Sequence, residues 1–159
     1  MTADPALTQL LFLIDTAYDQ VSWHGPNLRG SLRGVTPRQA AWRAAPGRHN
    51  IWELVVHAAY WKYAAWRRLT GATRGSFPLA GSNWFSRPVA ISPRAWTEDL
   101  ALLDRMHQTL RAAIAEIPDR ELDRPSAQKG VTRRALATGV AAHDLYHAGQ
   151  IQLLKRLVK

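Results

Sequence analysis

The chain has 159 residues, of which 47% are hydrophobic and 21% charged, the balance of an ordered globular protein with material for one domain and too little for two. It contains no Cys, which excludes a disulfide framework, a thiol nucleophile and thiolate metal ligands; a transition metal must take His, carboxylate or water. The net charge of +9 raises the question of nucleic acid, but the basic residues are scattered from Arg29 to Arg134 without a long block or recognised motif, which argues against that partner. No apolar run approaches the roughly 18 residues of a membrane span, and the first residues carry acids rather than a basic n-region. The expected location is therefore the cytoplasm.

Four long helices are predicted. The first runs from Pro5, behind an Asp4 cap, to Trp23, with a stripe of Leu7, Leu10, Leu11, Ile14, Tyr18 and Val21, and Gly25-Pro26 ends it. A short helix starts at Thr36-Pro37. The second long helix spans Ile51 to Leu69, with Asn50 as cap and Glu53 completing a capping-box pattern; its stripe is Ile51, Leu54, Ala58, Trp61, Ala65 and Leu69, and Gly71 stops it. Ser92-Pro93 opens the third, which carries Trp96, Leu100, Leu103, Leu110, Ile114 and Ile117 before Pro118 closes it. The fourth runs from Arg133 to Val158. Its stripe is Leu136, Val140, Ile151, Leu154, Leu157 and Val158, with Arg134, Lys155, Arg156 and Lys159 behind. Strand-type alternation is absent. The expected fold is all-α, a four-helix bundle forming one domain over residues 1–159, and the two long connections before the third helix allow an up-down-down-up order.

His143 and His147 lie within the apolar stripe of the fourth helix. Their i, i+4 spacing sets both imidazoles on one face, side by side, as two ligands of one metal ion require. Two hydrogen-bonded core histidines are the bland alternative, and they need twice the polar compensation of one. His57, at the edge of the second helix's stripe, supplies a third ligand if those helices face each other. Three neutral imidazoles leave one position open for water or substrate, and a divalent metal there can lower the pKa of water or hold a thiolate.

Other residues near the triad carry two readings each. No Glu follows the first His of His143-Asp144-Leu145-Tyr146-His147, so the zincin protease pattern is absent, and Asp144 reads as a surface group or a support for a ligand. Glu53 either orients His57 or caps its helix. Gln150, one turn past His147, hydrogen-bonds a ligand or faces a neighbouring helix. His24 is a pocket residue and proton shuttle at the mouth of the site, or a structural cap. His107 falls on the third helix's stripe and reads as a satisfied core residue rather than a ligand, while His49 reads as a loop residue. Most of the seven Trp are core residues; some, Trp61 among them, are candidates to line a pocket over the metal or a dimer surface.

With IWELVVHAAYWK on the second helix and AAHDLYHAGQIQLLKR on the fourth, the chain resembles the DinB-like superfamily, the damage-inducible/YfiT type of metal-dependent enzymes. One His on the second helix and His-x3-His on the fourth match His57, His143 and His147; WHGP and GSNWF resemble one branch. The resemblance implies an up-down-down-up bundle, often a homodimer, with zinc or nickel on the His triad and, in some relatives, a low-molecular-weight thiol in transfer or isomerisation chemistry. The expected function is that of a metal-dependent thiol S-transferase or related hydrolase acting on a small molecule. The alternative is a noncatalytic metal- or ligand-binding bundle made in stress.

Overall fold

The computed structural model describes residues 5–158, so the expected Asp4 cap and the position of Lys159 lie outside the described residues. Every long helix starts on a side-chain oxygen that accepts a backbone N–H, where the sequence offers one within the described residues. Asn50 accepts from Glu53 N and Glu53 returns to Asn50 N, opening α4 (Ile51–Thr70). Ser92 caps α5 (Pro93–Ala115), whose first residue is the proline, and Thr132 caps α6 (Arg133–Leu157). Gly71 ends α4 at φ 71°, a left-handed conformation that a side chain would strain. Before these come α1 (Pro5–Tyr18) and two short helices, α2 (Leu28–Ser31) and α3 (Pro37–Ala41); α3 carries the capping box of Thr36 and Gln39. Among the described residues there is no β-strand, and no helix is long and apolar enough to cross a membrane. The fold is all-α.

The first helix is shorter than its hydrophobic period suggests. It ends at Tyr18 rather than Trp23, and Val21, expected on its buried stripe, is exposed, as is Trp23. The chain leaves the helical path because Asn27 caps α2, and its amide donates to Gln20 O at 2.7 Å, so that Leu28 and Leu32 can enter the core. Leu157, placed on the apolar stripe of the last helix, is likewise exposed at its frayed end.

The interior comes in two apolar clusters. Ile51, Trp52, Val55, Phe77, Phe85, Trp96, Leu103 and Ile151 belong to one; Leu10, Ile14, Leu69, Leu110, Ile114, Leu136 and Val140 belong to the other. On three helices the residues between these clusters are polar and buried: Lys62 on α4, His107 on α5 and Asp144 on α6. Burying such groups is costly unless they find partners. Lys62 and Asp144 find each other as an ion pair, and Lys62 also lies 4.8 Å over the Tyr18 ring. His107 stacks on Tyr18 with ring centroids 3.5 Å apart, but its Nδ1 has no hydrogen-bond partner, so it is a core residue and an incompletely satisfied one. Asp144 therefore corrects the expectation of a surface group, because a buried cation from another helix holds it in the interior.

Candidate metal centre

The helical period of α4 and α6 puts His57 opposite His143 and His147 where the two helices meet. His143 Nε2 lies 3.2 Å from His57 Nε2 and 2.9 Å from His147 Nε2. Tetrahedral ligands at 2.0–2.1 Å from one ion lie about 3.3 Å apart, so both of these distances are near the spacing of a shared cation, and all three nitrogens lie within 4.8 Å of one another.

The outer nitrogens are committed elsewhere. His57 Nδ1 donates to Asn83 O at 2.8 Å, and His147 Nδ1 donates to Gln150 Oε1 at 2.6 Å. A carbonyl oxygen only accepts, so both rings carry their proton on Nδ1 and turn the Nε2 lone pair inward. The Nε2 of His143 has one N–H at most to share between two facing lone pairs, whereas a cation satisfies all three nitrogens at once. Burial keeps the rings neutral, as ligands must be: it pushes His57 down to about 4 and His143 down to about 3, and it lowers His147 as well. The donor set therefore fits a metal ion.

The crossover between α4 and α5 completes the surroundings. Asn83 holds φ 62°, in the left-handed region that Asn tolerates better than most residues. In that turn its carbonyl meets His57 while its side-chain oxygen accepts from Trp61 Nε1 at 2.9 Å. Trp84 lies flat on His57, ring centroids 3.8 Å apart, and His49 covers the other face of the indole at 3.5 Å. His49 is in a loop as expected, and its stacking role could not be read from its flanking residues.

Glu53 does not reach His57. It receives Arg43 at 2.9 and 2.5 Å and His49 at 3.0 Å, besides capping α4. Burial pushes its carboxyl up, but the hydrogen bonds from Arg43 and His49 more than offset this and hold it below the usual range. Gln150 holds the His147 ring, steadied by its own amide donating to Tyr146 Oη at 3.2 Å. Trp61 stands at the edge of the cluster, 6.5 Å from the His143 ring. His24 is exposed in the turn after α1 and stands outside the three-His cluster. Asn83 and Lys62 escaped the sequence reading: one lies in a segment without period, and the other resembles any solvated lysine.

A cleft of about 200 Å³ opens beside His143, between Trp61, Ala65 and Arg68 of α4 and Leu136, Gly139 and Val140 of α6. A larger open groove of about 450 Å³ by Tyr60, Arg67 and Thr73 contains none of the three histidines, whereas the smaller cleft borders His143.

No curated protein and no solved structure matches the chain. A family model described as the DinB superfamily matches residues 20–151, a span that holds all three histidines, the whole of α4 and all but the last turns of α6. The chain belongs to the DinB superfamily.

Proposed function

We propose that this protein is a divalent-metal-dependent enzyme of small molecules, a thiol S-transferase or related hydrolase, with His57, His143 and His147 as its ligands. The observation that carries this reading is the convergence of three Nε2 atoms, two of them with lone pairs turned inward by Asn83 and Gln150. A bound divalent ion would supply Lewis acidity, lowering the pKa of a thiol or water at its open position. The chain's own residues do the rest. Asn83 and Gln150 fix the two outer rings, Trp84 shields the face of His57 from water, and the cleft at His143 admits a ligand.

The acids nearest the histidines are engaged. Glu53 serves Arg43 and His49, and Asp144 serves Lys62. That favours thiol transfer over hydrolysis, since a thiol acidified by a metal needs no protein base, and it is also what supports the noncatalytic metal-binding alternative. Incubating the zinc- or nickel-loaded protein with thiols plus electrophiles, and separately with esters and amides, tests the proposal. Thiol consumption that disappears in His143→Ala supports the transferase. Turnover in neither panel leaves the noncatalytic binder.

We read the helices as an up-down-down-up bundle. Trp52 bonds Asp99, and further along Tyr63 and Trp66 share a pocket with Met106 and Thr109, which supports α4 and α5 running the same way. Asp15 pairs with Arg111 while Tyr18 bonds Asp104, and Arg68 lies by Leu136 while His57 meets His143; these support antiparallel α1/α5 and α4/α6. The family resemblance favours a homodimer.

A further inference from the structure

The cleft beside His143 is chemically graded. At one end stands His143, the member of the three-His cluster that lines it. The walls are largely apolar, with Ala65, Leu136 and Val140 beside the polar Gln128, and at the far end is the Arg68 guanidinium. Trp61 joins the two ends: its ring is 6.5 Å from the His143 ring and 5.2 Å from the Arg68 guanidinium carbon. Because Trp61 is itself held by Asn83, it offers a fixed plate on which the arginine lies. An arginine held over an indole by a cation–π contact keeps its N–H groups for planar anions, which a guanidinium grips with two parallel hydrogen bonds. Among the described residues no acid neutralises Arg68 and no acceptor takes its guanidinium N–H groups, although it is half-buried.

The opposite wall has room built into it. Gly139 sits in the middle of α6, where glycine costs helix stability, and a Cβ built there meets nothing within 4 Å. A larger residue at this point would narrow the cleft midway between the two ends.

We propose that this cleft binds a small, linear, largely apolar carboxylate, with Arg68 holding the carboxylate and the donor atom at the ligand's other end reaching the histidines. This rests on the metal-centre reading for the donor end alone. Arg68 is the one charged side chain lining the cleft, which matches a monoanion better than a phosphate dianion.

The test uses 6-mercaptohexanoate and its neutral counterpart 6-mercaptohexan-1-ol, titrated by calorimetry into the zinc-loaded and the metal-free protein at low salt. The acid is expected to bind about tenfold more tightly than the alcohol. Arg68→Gln should erase that preference with little change in the alcohol's affinity or in zinc content. Arg68→Lys should keep part of it, and Gly139→Leu should weaken both probes. Equal affinities in the wild type, a preference that survives in Arg68→Gln, or no binding of either probe up to about 10 mM would overturn the proposal. Zinc stoichiometry by elemental analysis separates the two readings. Acid preference without zinc binding removes the metal centre and leaves the cleft, whereas zinc binding without acid preference does the reverse.

Discussion

Lys62 and Asp144 form an ion pair with side chains 1% and 2% exposed, and Asp144 is the neighbour of His143 on α6. One Asp144 oxygen, Oδ1, has no further partner, so the pair has little in reserve. Lys62→Met should leave a buried carboxylate alone and cost about 3–5 kcal/mol. Lys62→Met combined with Asp144→Leu should recover most of that loss, because the desolvation cost goes with both charges. Urea unfolding of the wild type, both single variants and the double variant measures the cycle. A double variant no more stable than the worse single one would show that shape, not charge, governs this layer.

His107 should make the protein acid-sensitive. Burial, and then the nearby charges of Lys62 and Arg111, push the folded imidazole down to about 3, while an unfolded one titrates near 6.5. The neutral ring in the folded state is therefore fully accommodated above about pH 6.5, and stability is lost as pH falls from there toward 3 because only the unfolded chain takes up the proton. His107→Leu should flatten the dependence, gaining about 2–3 kcal/mol over the wild type at pH 4 relative to pH 7. Parallel stability curves for the two proteins between pH 7 and pH 4 would show that His107 does not titrate in this way.

Much of this arrangement is legible in the sequence because it depends on local rules. The Asn50–Glu53 box, Ser92-Pro93 and Thr132 mark the helix starts, and the i, i+4 spacing sets His143 beside His147 whatever the rest of the chain does. What escapes depends on partners far away in the chain. Val21 continues the period of α1, yet the chain turns away to bury Leu28. Asp144 looks solvated until Lys62 faces it, 82 positions away. Asn83 has no periodic neighbours to announce that its carbonyl will meet His57.

Four single substitutions separate ligands from bystanders. His57→Ala, His143→Ala and His147→Ala should each release the metal, since two imidazoles make a poor zinc site, whereas His107→Leu should retain it. Elemental analysis after dialysis reads this directly. Full metal content in His143→Ala would place the centre elsewhere.

The orienting groups should act through affinity rather than stoichiometry. Gln150→Leu frees the His147 ring and should weaken zinc binding about 10–100-fold in competition with a chelating dye. At Asn83 the backbone carbonyl carries the contact to His57, so Asn83→Gly, which keeps the left-handed turn, should stay close to wild type. Asn83→Val should lose affinity, because a β-branched residue resists that φ. Equal behaviour of the two Asn83 variants would assign its effect to the side chain bonded to Trp61.

The sandwich of Trp84 between His49 and His57 gives the protein a built-in optical gauge. The indole lies against the very ring whose inner lone pair faces its two fellow histidines, so a change in that ring's electron density is felt across a stacked contact of 3.8 Å. Emission from Trp84, isolated by subtracting the spectrum of Trp84→Phe, follows occupancy of the site without a label. With seven tryptophans in the chain, the difference spectrum supplies the specificity that total fluorescence lacks.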